Sequence, residues 1–81
     1  MFARNVSITG SFNNWQPVQM QLDYITGVWF TELKIPAGRY LYKFIVDGDY
    51  TADSNNPHYE PDRFGGFNSI LYISLESGGN Y

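Results

Sequence analysis

The run Gly38-Arg-Tyr-Leu-Tyr-Lys-Phe-Ile-Val-Asp-Gly-Asp-Tyr50 constrains the fold of this chain more than any other stretch. Tyr40, Tyr42, Phe44 and Val46 alternate with Arg39, Leu41, Lys43 and Ile45. A period of two is the mark of a strand buried on one face, here the aromatic one. Asp47-Gly48 then supplies the residue types that tolerate positive φ in a tight hairpin. Lys43 falls on the face opposite the aromatic residues, among apolar neighbours. A cation there needs solvent or a ligand, because an unpaired buried charge is costly. The strand is therefore expected to be both a wall of the core and the floor of a binding surface.

The remaining chain repeats this pattern in shorter pieces. Gly and Pro recur at short intervals, and no segment shows helical apolar spacing. Asn5 to Thr9 reads as a first strand with Val6 and Ile8 facing inward. Gln19 to Tyr24 is a weaker second strand, and Ile25-Thr-Gly27 turns the chain. Val28 to Ile35 is a third, with Trp29, Thr31, Leu33 and Ile35 on its inner face. Tyr50 to Ala52 pairs briefly across the Asp47-Gly48 turn, Asp53 to Gly66 reads as a long polar loop, and Phe67 to Leu75 is the last strand. Glu76 to Tyr81 reads as a loose polar tail. The expected architecture is a single all-β domain over residues 1–81, an antiparallel sandwich of about six to seven strands.

Size and charge narrow the function classes. A chain of 81 residues makes one small domain, burying only about 60–65% of its unfolded surface. With no cysteine, neither a disulfide nor a thiolate-bound metal supports it. A net charge of −3, with five scattered Lys and Arg, argues against nucleic acid and anionic membranes. The first residues lack the layout of a secretory signal, and no apolar run is long enough to span a bilayer. The compartment stays open, with the cytoplasm favoured.

Catalysis has little to stand on. The one histidine, His58, lies in the long loop, and no serine sits in a nucleophile elbow. Glu60 and Asp62 are a formal carboxylate pair, but the sequence offers no means of perturbing their pKa values. Asp47, Asp49, Asp53 and Asn55 suggest a calcium loop, yet their spacing fails the EF-hand rule. Asp47 is better read as serving the hairpin and Asp53 as capping a turn, and no cofactor is expected. The aromatic residues are more telling, at 19% of the chain. Trp15 stands in an Asn-rich loop, Tyr50 follows a hairpin turn, and Phe64 precedes Gly65-Gly66. A sandwich that gathers them makes an apolar platform beside Lys43 and Asn68. Such a platform suits sugar rings, which have one C–H face and a rim of hydroxyls. Core packing accounts for Trp29; for Trp15 and Tyr50, packing and function are both open on the residues alone.

Gly10-Ser-Phe-Asn-Asn-Trp15, Gly27-Val-Trp29, Pro36-Ala-Gly38, Tyr42-Lys-Phe-Ile-Val-Asp-Gly48 and Gly65-Gly-Phe-Asn-Ser69 together resemble the family 48 carbohydrate-binding modules, over about Val6 to Ile73. That family includes the glycogen-binding domain of the AMP-activated protein kinase β-subunit and the N-terminal domains of branching and debranching enzymes. The resemblance implies an immunoglobulin-like early-set sandwich that binds α-glucan without catalysis. It assigns Trp15 to the first stacking aromatic, Lys43 to the site lysine and Asn68 to the asparagine that bonds sugar hydroxyls. Tyr50 stands where a second tryptophan is expected, Phe64 replaces an aliphatic residue, and Gly66 replaces a threonine. The expected carbohydrate site is therefore Trp15, Lys43, Tyr50, Phe64 and Asn68. The alternative is a structural or docking domain of a glycan-active enzyme or kinase-regulatory assembly, presenting the loop around His58 and Arg63. Members usually carry a further strand before the segment matching Arg4 to Ile8. An edge left bare there implies weak homodimer formation or a neighbouring domain.

Overall fold

The computed structural model describes residues 3–75; the expected tail at 76–81 lies outside the described residues. The strands are β1 (Val6–Gly10), β2 (Val18–Gln19), β3 (Gln21–Asp23), β4 (Val28–Phe30), β5 (Gly38–Val46), β6 (Asp49–Thr51), β7 (Tyr59–Pro61) and β8 (Phe67–Ile73). Six form one antiparallel sheet in the order β2-β1-β5-β8-β7, with β6 beside β5; β3 and β4 form a second, two-stranded sheet. This is the all-β, early-set type of sandwich, with eight strands among the described residues.

The nine-residue β5 is the axis of the larger sheet. One edge pairs with β1 from Tyr42 to Val46. The other pairs with β8 from Gly38 to Tyr42 and with β6 from Phe44 to Val46. Where β1 stops, the Ser11 hydroxyl accepts the Leu41 N–H at 3.0 Å, so that edge is not left bare. Asp47 and Gly48 both take positive φ, 50° and 89°, giving the hairpin its right-handed twist. The Asp47 carboxylate accepts the N–H groups of Arg4 and Asn5, both at 2.9 Å, tying the start of the described chain to the hairpin.

Tyr42 sits at the centre of the inner face and is 7% exposed. Its hydroxyl donates to Asp53 at 2.7 Å and accepts from Asn56 Nδ2 at 3.0 Å. Buried Ser69 accepts the Asp53 N–H at 2.8 Å. Burial, helped by the Asp53 carboxylate, pushes the Tyr42 phenol up to about 12. Asp53 does cap a turn, accepting the Asn55 N–H, but it also accepts the Tyr42 hydroxyl.

Several expectations are corrected. The second strand breaks at Met20, where the chain leaves the large sheet for the small one. The third stops pairing at Phe30 rather than Ile35, although Thr31, Leu33 and Ile35 stay more buried than Glu32 and Lys34. The long loop contains β7, which pairs with β8 through Tyr59↔Ser69, Glu60↔Asn68 and Pro61↔Phe67. The last strand ends at Ile73, leaving Leu75 exposed. The first strand is not a bare edge: β1 lies between β2 and β5.

Candidate functional site

Opposite the Tyr42 face, antiparallel register sets a row of side chains on one side of the large sheet. Lys43 and Leu41 alternate with the core residues of β5; Tyr50 pairs with Ile45, and Asn68 pairs with Glu60. Cross-strand partners share a face, so these residues form a floor. Two loops rise beside it. Trp15, Leu41, Lys43, Tyr50, Glu60, Pro61, Asp62, Arg63, Phe64 and Asn68 line one open groove of about 900 Å³. All five residues singled out in the sequence, Trp15, Lys43, Tyr50, Phe64 and Asn68, are among them, whereas His58 is not.

The first loop follows β1. Ser11–Asn13 make one 3-10 turn, and Asn14 and Trp15 then take positive φ, 59° and 62°. Asn tolerates that conformation; a tryptophan there costs about 1–2 kcal/mol. Backbone groups hold it: the Trp15 N–H donates to the Gly10 carbonyl at 2.8 Å, and Asn13 Nδ2 donates to the Gln16 carbonyl at 2.9 Å. Gly10 leaves no room for a side chain, since a Cβ would overlap the Phe12 ring and lie 2.6 Å from the Leu41 carbonyl oxygen. Phe12 itself folds back edge-on to Tyr40, with ring centroids 6.4 Å apart. The loop thus turns one aromatic inward and leaves Trp15 40% exposed.

The second loop joins β7 to β8. Asp62 Oδ1 accepts the N–H of Phe64 at 2.7 Å and of Gly66 at 2.9 Å, while the Asp62 N–H closes the loop onto the Gly66 carbonyl at 2.9 Å. Gly65 supplies the positive φ of 85° that the turn requires. Phe64 stands at the tip, 91% exposed. Asp62 Oδ2 is ion-paired with Lys43, whose side chain is 17% exposed against 6% for Asp62. The Lys43 bond, aided by the two backbone donors, holds the Asp62 carboxyl down at about 2.

The expectation that nothing perturbs Asp62 is thereby corrected. Asp62 is strongly perturbed, but downward, which suits a fixed anion and not a proton donor near neutrality. Glu60 is ion-paired with Arg39. Sequence reasoning missed Leu41, Glu60, Pro61, Asp62 and Arg63 as groove residues. Leu41 shares the parity of Lys43 and was open to discovery; nothing local marks Asp62. His58 packs edge-on to Tyr72, centroids 5.7 Å apart.

Comparison with known proteins bears on the family. The family model described as the glycogen recognition site of AMP-activated protein kinase matches residues 2–77. The 5'-AMP-activated protein kinase subunit beta-1 of Sus scrofa is 33% identical over 70 residues, 86% of this chain and 55% of that protein. The Homo sapiens subunit has the same identity over the same share of this chain, and 25% of its own length. Protein PTST homolog 2, chloroplastic, of Arabidopsis thaliana is 37% identical over 73 residues, 89% of this chain and 13% of that protein. The chain therefore spans about half or less of the length of these relatives. It belongs to the family of carbohydrate-binding domains defined by the glycogen recognition site of AMP-activated protein kinase.

Proposed function

We propose that this domain binds α-glucan of the glycogen or starch type across the groove and performs no chemistry on it. Trp15 and Tyr50 stack against the C–H faces of sugar rings, Phe64 packs beside the glucan, and Lys43 and Asn68 direct N–H donors to hydroxyls. Single C–H contacts with a ring are weak, so the rings act together. The observation that supports this reading best is the convergence of five separated side chains on one groove, with Trp15 and Tyr50 both open to solvent, 40% and 65% exposed. The family match supports the glucan class. Affinity electrophoresis through gels containing glycogen, amylopectin, xylan or soluble cellulose tests it. Retardation by the two α-glucans alone is expected; equal mobility in all gels refutes the reading.

A docking role is the second reading, for a domain attached to a glycan-active enzyme or a kinase-regulatory assembly. It is favoured by the apolar residues exposed on the β3–β4 hairpin, Tyr24, Ile25, Val28 and Phe30. Soluble maltooligosaccharides that leave tryptophan fluorescence unchanged favour this alternative. A weak homodimer would form through the outer edge of the two-residue β2; a strict monomer by light scattering at high concentration excludes it.

A further inference from the structure

Lys43 and Phe64 lie on different elements of the groove, and one side chain joins them. Asp62 uses its two oxygens for different tasks. Oδ1 gathers the Phe64 and Gly66 N–H groups, which shapes the loop; Oδ2 takes the Lys43 ammonium rising from β5. The pair is largely shielded from water, at 17% and 6% exposed. Losing one partner would leave the other charge poorly solvated, a large penalty compared with that of a surface pair. Phe64, 91% exposed, has little besides this latch to fix its height over the floor.

Gly66 belongs to the same arrangement. A Cβ built there would lie 3.0 Å from Asp62 Oδ2 and 3.6 Å from Lys43 Nζ. The first distance is too short for an unmoved neighbour, and that neighbour is the oxygen holding the lysine. Gly66 does not take positive φ, so the need for glycine comes from space and not from backbone conformation.

We propose that Asp62 is the positioning residue of the groove: a single carboxylate aims the Lys43 ammonium and fixes the Phe64 loop, and Gly66 is the vacancy that this carboxylate requires. The inference rests on the glucan reading for its effect on binding, but the latch itself is testable without ligand. Both Asp62 oxygens are engaged within the protein. Its effect on binding is exerted through Lys43 and Phe64.

The ligand-free test follows the Asp62 carboxyl carbon by NMR as pH is lowered, in the parent domain and in Lys43→Met. With the latch, the parent resonance stays ionised to below about pH 3, and Lys43→Met moves its midpoint up by roughly one unit or more. An ordinary midpoint near 3.8 in the parent, or the same midpoint in both, overturns the proposal. The binding test uses maltoheptaose titrated into Gly66→Ala, Asp62→Ala and the double variant. Asp62→Asn serves as a milder variant that keeps the Oδ1 acceptor. Each single change is expected to weaken binding by about threefold or more, and Gly66→Ala to have little further effect once the carboxylate is gone; such coupling is the mark of residues sharing one network. Additive losses overturn the latch. If the parent does not bind maltoheptaose, the glucan reading fails, and the NMR titration alone decides the latch.

Discussion

The two loops that frame the groove present an aromatic residue each, and they are held by different chemistry. The Gly10–Gln16 loop is fixed by neutral groups: backbone carbonyls, an Asn side chain and a glycine with no room for a methyl group. The Asp62–Gly66 loop is fixed by one carboxylate that is itself held by a lysine. The first arrangement has no titrating member and depends on shape. The second depends on charge, and so on pH. On the proposed latch, a groove built from both would keep Trp15 in place under conditions that release Phe64.

The largest expected effect falls on the shape-held side. Trp15→Ala removes an exposed ring without opening the core. On the glucan reading it weakens binding by about 2 kcal/mol or more, as tryptophan hot spots do, roughly 30-fold. Retardation in glycogen gels measures the loss, and an unchanged far-ultraviolet spectrum shows that the sandwich survives. A loss no greater than that of Phe64→Ala would break the comparison, because the strained loop would then present nothing special.

Gly10→Ala comes next and tests shape directly. The new methyl must displace the Phe12 ring and the backbone oxygen of Leu41. Overpacking of this kind costs about 1–3 kcal/mol, read as a lower urea midpoint. A neutral result would mean that the loop yields, and that Trp15 is less firmly placed than its hydrogen bonds indicate.

The difference between the loops also decides what the sequence could disclose. Strand parity on Gly38–Tyr50 placed Tyr42 inside and Lys43 on the opposite face, and the β5 ladders have that register. Asp47-Gly48 announced its own turn. These features depend on near neighbours. Strand β7 escaped notice because Tyr59-Glu60-Pro61 is short and ends in proline, which fits only an edge strand. Asp62 escaped because its partner lies nineteen residues away, on another strand. The carboxylate's local setting of Pro, Arg and Gly reads simply as a solvated turn. Shape held by the backbone leaves traces in local sequence, whereas a tertiary ion pair leaves almost none.

Proton linkage sharpens the contrast at intermediate magnitude. Asp62 titrates at about 2 when folded, below its ordinary 3.8. Its stabilising contribution is present above about pH 4 and is lost as pH falls towards 2. Tyr42 is raised from 10.0 to about 12, so its contribution holds below pH 10 and is lost as pH rises through 12. Thermal melts across pH should show a plateau between these limits. On the acid limb the Phe64 amide should lose its hydrogen-bonded chemical shift before the Trp15 amide does. Simultaneous loss of both would show that one cooperative unit holds the two loops.

The smallest effect supplies the control. Arg39–Glu60 is also an ion pair beside the groove, but its side chains are 49% and 39% exposed, against 17% and 6% for Lys43–Asp62. Water screens the exposed pair, and holding two long side chains together costs entropy. Glu60→Gln is therefore expected to change unfolding free energy by about 0.5 kcal/mol or less, with the small difference fading in high salt. Glu60 pairs with Asn68 across strands through backbone groups that the substitution leaves in place. Asp62→Asn, measured alongside, should cost more and retain its cost in salt. If the two substitutions cost the same and fade alike, burial is not what makes the Asp62 carboxylate effective. Phe64 would then be placed by the general field of the sheet and not by a single shielded bond.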